Sequence, residues 1–256
     1  MRFASIGSGS EGNGLVVEAG RTRVLIDCGF GVRDTAARLE RLGVAPESLD
    51  AIFVTHEHAD HVSGVPAFAA KYSIPVWLTF GTLQASGARF EGMDRVYGFD
   101  SHDRVAVGDL EICPFPVPHD AREPVQFVVS DGAHRVGVLT DLGTTTRYVE
   151  ASLSGCDALV LECNHDLDML GRSDYPWPLK QRISGRFGHL HNEASAALLA
   201  ALDNSRLSHI VAAHLSKQNN TPERARAALA GALGCTADWI GVAEQAGGFD
   251  WRMLGA

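Results

Sequence analysis

Between Thr55 and His61 the chain reads Thr-His-Glu-His-Ala-Asp-His, three histidines and two acids in seven consecutive residues. Imidazole and carboxylate together are the donor set of divalent transition metals. An apolar run, Ala51-Ile52-Phe53-Val54, leads in, so His56 and His58 stand at the end of a predicted strand. Two residues apart in an extended segment, they project to the same side. In a helix they would diverge by about 200°. Asp60 and His61 fall where the chain turns into the next apolar-patterned segment, so they can face a second ion. A helical zinc-protease motif needs its second histidine four residues after the first, and position 60 is Asp, which excludes that chemistry. Burying so many like ligands is costly unless they bind something.

Further donors close later strands. His119 follows Leu110–Val117, Asp141 follows Arg135–Leu139, and His214 follows His209–Ala213. A polar residue at one strand end is often only a turn former. Three of the right type, closing three strands, read as additional ligands.

These residues need a scaffold. Short strands with Gly-rich turns are predicted at Met1–Ile6, Gly14–Glu18 and Arg23–Asp27, then a helix at about Arg33–Leu42. The strand Ala51–Thr55, a helix within His61–Tyr72 and a strand Pro75–Leu78 follow. The middle is strand-rich: Arg104–Val107, Leu110–Val117, Val125–Ser130 and Arg135–Leu139. Alternation resumes with a helix near Thr145–Leu153, the strand Ala158–Cys163, a helix Glu193–Leu202, the strand His209–Ala213 and a helix Pro222–Leu233. Thr221 before Pro222 is a good N-cap ahead of an N1 proline. Sheet packed on sheet with helices outside satisfies this order, a layered α/β reading.

Composition is that of an ordinary globular chain: 256 residues, 45% hydrophobic and 21% charged. The absence of linkers, low-complexity blocks and short repeats predicts one domain over 1–256. Net charge is 22 − 31 = −9, which argues against polyanion binding by the surface as a whole and leaves a local basic patch open. Five widely spaced cysteines without a CxxC pair, no apolar leader and no membrane-length run predict a reduced, cytoplasmic protein that does not engage membranes.

The set His56, His58, Asp60, His61, His119, Asp141 and His214, with Asp27 in Leu-Ile-Asp-Cys-Gly, resembles the metallo-β-lactamase superfamily. The resemblance spans residues 27 to 214 in the right order. It implies a four-layer αββα sandwich with the site along one sheet edge. It further implies one ion on His56, His58 and His119, another on Asp60, His61 and His214, Asp141 bridging, and Asp27 orienting ligands. Antibiotic-hydrolysing members carry Cys in the second site and Arg or Cys near position 61, so lactam hydrolysis is not implied. Flavodiiron members carry Glu in place of His58 and add a flavodoxin domain, for which this chain has no room.

Gly7-Ser8-Gly9-Ser10-Glu11-Gly12 fits a dinucleotide fingerprint, but Leu15-Val16-Val17-Glu18 after it reads as strand rather than helix, so it is read as a hairpin loop. The same stretch, together with LIDCG, THEHADH, ECNHD, YPWPLKQRI, GHLHNE and HLSKQNN, resembles the WalJ/YycJ family over nearly the whole chain, with His191 where Ser is expected. That resemblance implies a 5′→3′ exonuclease acting on double-stranded DNA.

Independently of family, residues 172 to 187 interleave Arg172, Lys180, Arg182 and Arg186 with Tyr175, Trp177 and Phe187. Such a stretch suits phosphate contacts and base stacking, and equally an exposed surface segment. His165 and His189 flank it as candidate proton donors to a leaving oxygen. Lys217 and Asn219, just past His214, are candidate phosphate contacts.

The expected chemistry is phosphodiester hydrolysis by water activated between two ions, with Asp60 and Asp141 in the catalytic centre. Zn²⁺ suits the five imidazoles, and the two carboxylates also admit Mn²⁺. Two alternatives stand beside DNA. One is a small substrate, a cyclic phosphodiester, thioester or lactone, which the −9 charge suits. The other is a non-catalytic metal-stabilised scaffold.

Overall fold

The computed structural model describes residues 1–255. Two seven-stranded sheets form its centre. The first contains β1 (Arg2–Gly7), β2 (Gly14–Ala19), β3 (Thr22–Ile26), β4 (Ala51–Phe53), β5 (Val76–Thr79), β6 (Val96–Phe99) and β14 (Phe249–Met253), in the order β14-β1-β2-β3-β4-β5-β6. The second contains β7 (Val105–Val107), β8 (Leu110–Pro116), β9 (Val125–Ser130), β10 (Arg135–Leu139), β11 (Ala158–Glu162), β12 (His209–Ala213) and β13 (Gly241–Val242), in the order β13-β12-β11-β10-β9-β8-β7. Each sheet begins as an antiparallel meander and becomes parallel from β3 or β10 onward.

The central parallel strands β4 and β11 are almost wholly apolar because both faces are covered. In β4, Ala51 and Phe53 enter the core between the sheets, whereas Ile52 faces the outer core with α1 (Val32–Arg41) and α3 (Val65–Tyr72). In β11, Ala158 and Val160 point between the sheets. Leu159 and Leu161 meet α5 (Arg147–Leu153), α8 (Asn192–Ala201) and α9 (Pro222–Leu233). Period-two alternation thus divides one apolar run between two cores. The layers are helix, sheet, sheet, helix, the αββα sandwich expected.

Strand polarity gathers the donors. β8 and β10 both run antiparallel to β9, so both point the same way, as do β10, β11 and β12. The residues following β8, β10, β11 and β12 therefore emerge on one edge, as ligand sites in open parallel sheets do.

Local departures from expectation have local causes. The helix foreseen within His61–Tyr72 is two, α2 (Ala59–Val62) and α3, broken at Ser63–Gly64. The break lets Gly64 N–H bond Cys28 O at 2.9 Å, an approach that a Cβ would block by colliding with the carbonyls of Phe30 and Cys28. The strand foreseen to Thr55 ends at Phe53, and Thr55 N–H leaves the ladder for Asp27 Oδ1 at 2.8 Å. Segments 167–172 and 172–187, for which no helix was foreseen, contain α6 (Leu167–Arg172) and α7 (Trp177–Ile183). α4 (Phe80–Ala85), β6, β13 and β14 are too short or too polar for a periodic signal.

Candidate metal centre

The seven donors converge. Three sets place their ligand atoms within 4.8 Å of one another: His56–His58–His119, His56–His61–Asp141 and Asp60–His61–His214. Asp141 lies between them, with Oδ2 3.1 Å from His61 Nε2 and Oδ1 3.7 Å from both His119 Nε2 and His214 Nδ1. The His56 ring is 4.5 Å from that of His58 and 4.2 Å from that of His61, centroid to centroid.

Surrounding groups fix these side chains. Asp27 Oδ2 accepts from Thr55 Oγ1 and faces His61 Nδ1, each at 2.8 Å, the carboxylate–imidazole pairing that orients a ligating histidine. His119 Nδ1 sits 3.0 Å from Gly188 O, which leaves Nε2 for the site, 3.2 Å from His58 Nδ1. Asp27 (φ 61°) and His214 (φ 54°) hold left-handed backbone, at a cost of about 1–3 kcal/mol each for non-glycine residues. Such outliers cluster where side-chain aim matters.

The Gly-rich stretch is a loop, as its context predicted, and it stitches the site. Asn13 N–H donates to Asp60 O at 2.8 Å, and Asn13 Nδ2 lies 3.2 Å from Asp60 Oδ2 and 3.1 Å from His61 Nε2. Ser8 Oγ accepts from His214 N–H at 2.9 Å and donates to Asn13 Oδ1 at 3.1 Å. Gly29 lets the chain pass against Asp60 O, where a Cβ would collide.

Electrostatics suit cation binding. Burial and the neighbouring His61 push His56 well below the usual imidazole range, so it is a neutral donor. Burial alone would raise Asp60 and Asp141, yet His61 and His214 hold both below the carboxylate range. Burial alone would lower His61 and His214, but Asp141 and Asp60 outweigh it, and His214 rises to about 10. The acids are thus ionised and attract positive charge. His56 Nε2 and Asp141 Oδ2 are buried without a hydrogen-bond partner. Orphaned buried donors and acceptors are rare and costly, and divalent ions on this imidazole–carboxylate set would satisfy both. The residues fit a dinuclear site.

Three residues of this centre were missed from sequence. Glu162, at the end of β11, is fully buried. Its Oε2 accepts from Leu142 N–H (2.9 Å) and Leu190 N–H (3.1 Å), and its Oε1 meets His189 Nδ1 at 2.7 Å. With Asp141, His189 and His214 it forms a fourth set of close donors. The available signal was an acid ending a strand otherwise made of Ala, Leu and Val. Asn13 and Asp120 were likewise not singled out. Asp120 Oδ1 lies 3.5 Å from His119 Nε2 and 3.7 Å from His58 Nε2.

The remaining candidates divide. His189 lines a cleft of about 330 Å³ beside the donors, with Tyr175, Leu179, Arg182 and Ile183. His165 does not join them; it is fully buried, its Nδ1 faces Asn164 Oδ1 at 3.3 Å, and burial lowers it to about 4. Arg182 Nε donates to Asp120 Oδ2 at 2.6 Å. Arg172 and Arg186 are exposed, whereas Lys180 Nζ is tied to Gly171 O at 2.8 Å. Lys217 pairs with Glu11 at 2.5 Å. Asn219 is buried, its side-chain amide against Ser216 Oγ and its backbone carbonyl accepting from Asp166 N–H, so it helps to shape the loop.

Comparison with known proteins agrees with this geometry. The family model for the beta-lactamase superfamily domain matches residues 22–210. The chain belongs to the metallo-β-lactamase superfamily. It is 34% identical over 228 residues to exodeoxyribonuclease YycJ of Bacillus anthracis, covering 88% of this chain and 86% of the relative. It is 32% identical over 229 residues to exodeoxyribonuclease WalJ of Streptococcus pneumoniae, covering 88% and 85%. Among solved structures, the metallo-beta-lactamase fold protein YhfI of Bacillus subtilis superposes with a TM-score of 0.76 over 98% of both chains at 15% identity, a likeness of fold. No helix among the described residues is long and apolar enough to cross a membrane.

Proposed function

We propose that this protein is a dinuclear metal-dependent phosphodiesterase that degrades DNA from chain ends, 5′→3′ on duplex as the WalJ/YycJ resemblance implies. The observation that carries the reading is the convergence of seven donors beside a cleft walled by Arg182 and Tyr175, in a chain alignable over 88% of its length with exodeoxyribonucleases. His56, His58 and His119 would hold one ion, and Asp60, His61 and His214 the other, with Asp141 shared. Zn²⁺ or Mn²⁺ suits that set. When bound, such ions supply a water-derived nucleophile near neutral pH and offset phosphate charge.

The protein's own groups do the rest. Asp27 keeps His61 aimed, and Asn13 and Ser8 hold the Asp60 and His214 backbones. His189, its Nδ1 anchored on Glu162 and its ring at the cleft, donates a proton to the leaving oxygen. Arg182 engages a phosphate. Arg172 and Arg186 supply positive charge around the mouth, a local basic patch on a chain of net charge −9.

That same net charge and the modest cleft favour a second reading, a small phosphodiester substrate. Metal-loaded protein is to be tested on 5′-labelled duplex beside cyclic phosphodiester, thioester and lactone panels. Label release with inert panels is expected. Turnover of a small ester with intact DNA would sink the nuclease reading.

A further inference from the structure

We infer that the cleft is a terminal-nucleotide pocket: it holds the last nucleotide of a strand, base against the Tyr175–Leu179–Ile183 wall and phosphate between the metal donors and Arg182, so that products are mononucleotides. This rests on the DNA reading above and adds where the substrate lies and what size is released.

Four observations converge. The cleft, at about 330 Å³, is at the small end of ligand sites, which span about 300–1,000 Å³. That size matches one nucleotide. Its two sides differ in chemistry: His58, Asp60, Asp141 and His214 on the sheet edge, an aromatic and two aliphatic side chains on the other. A base has an apolar face to stack, and a phosphate has charge to neutralise, so a nucleotide matches both sides at once.

Arg182 joins the two sides. Its Nε is fixed on Asp120, whose other oxygen lies 3.5 Å from His119 Nε2. Its remaining N–H groups have no hydrogen-bond partner among the described residues and keep the planar fork that suits phosphate.

The wall is fixed in place. His189 N–H bonds Ile183 O at 2.8 Å, and Gly188 passes so close to the carbonyls of Arg182 and Ile183 that a Cβ would collide. The C-terminal end of α7 is therefore held against the segment that carries His189. On the chain segment that carries the wall, Trp177 is 69% and Phe187 58% exposed, with Arg172 and Arg186 also exposed. A small ester would leave these side chains idle; the rest of a polymer could use them.

The test is calorimetric titration of zinc-loaded protein with thymidine 5′-monophosphate and with inorganic phosphate. The nucleotide is expected to bind at least tenfold more tightly than phosphate. Leu179→Trp, which fills the cleft, and Tyr175→Ala, which removes the aromatic face, are each expected to abolish that advantage with far-UV circular dichroism unchanged. Equal binding of nucleotide and phosphate to the native protein, or an advantage kept by both variants, overturns the pocket. Sizing products from 5′-labelled duplex supplies the second arm. Labelled mononucleotide supports the pocket, and a ladder of oligonucleotides overturns it. Intact DNA overturns the nuclease reading instead, and the titration still decides the pocket.

Discussion

Replacing Glu162 with Gln separates a structural role from a positioning one. The carboxylate is fully buried and carries two kinds of contact: Oε2 satisfies the N–H groups of Leu142 and Leu190, and Oε1 holds His189 Nδ1. A Gln carbonyl can still accept from both backbone N–H groups, so the fold should lose little. The contact to His189 changes in kind, from a carboxylate to a neutral amide. Hydrogen bonds to charged groups are worth about 1.5–3 kcal/mol against about 0.5–1.5 kcal/mol for neutral ones. A loss of about 1–2 kcal/mol in the transition state corresponds to a fall in kcat of about 5- to 30-fold, at roughly 1.4 kcal/mol per tenfold. KM should stay within about twofold. Glu162→Ala is the contrasting variant. It strands two buried N–H groups at about 1–3 kcal/mol each, against a total stability of about 5–15 kcal/mol. Steady-state kinetics on a chromogenic phosphodiester, with urea melts of all three proteins, reads both effects. Native kcat in the Gln variant, or a Gln variant as unstable as the Ala variant, would refute the assigned division of labour.

Other substitutions and conditions read separate parts of the account. Asp27→Asn keeps a residue tolerant of left-handed backbone but weakens the hold on His61, and metal affinity should fall about 10- to 100-fold with the fold intact, measured by competition with a chromophoric chelator. Zn²⁺ or Mn²⁺ at a hundred times its dissociation constant should add about 2.7 kcal/mol, or about 5–10 °C in Tm for a chain of this size; no shift on adding or chelating metal contradicts the site. Burial pushes the Cys156 thiol from its usual 9.0 to about 11, so the folded state favours the protonated thiol. That contribution is complete below about 9 and is lost as pH climbs towards 11. A thiol reagent at pH 8 should modify exposed Cys235 in the folded protein and reach Cys156 only on unfolding. Arg182→Ala should raise KM for DNA with a smaller effect on kcat, and should flatten the salt dependence.

Much of the scaffold was legible because the parallel strands are buried on both faces and read as unbroken apolar runs. His209–Ala213 was foreseen with the bounds observed, and β4 and β11 to within two residues. The donors were legible for a related reason: a titratable side chain directly after such a run stands out, as at His56, Asp141 and His214. Glu162 did not stand out because it is the last residue of its strand, and its partners Leu142, His189 and Leu190 are remote in sequence. The Gly-rich stretch was read as a loop leading into a strand, as it is, but spacing alone says nothing of Asn13 reaching residues 60 and 61. Lys217 and Asn219 show the limit of proximity along the chain. Both follow a candidate ligand, yet one turns to Glu11 and the other into the interior. Helix α7 was hidden because Pro176, Pro178 and scattered charge erase its period, although its Leu179, Arg182 and Ile183 line the cleft.

The most direct measurement compares linear 5′-labelled duplex with the same DNA as a covalently closed circle, using Mn²⁺- or Zn²⁺-loaded protein and the Asp60→Ala variant. The expected result is progressive release of label from the linear form, an intact circle, and no release by the variant. An untouched linear duplex with both metals, or release undiminished in Asp60→Ala, would contradict the account.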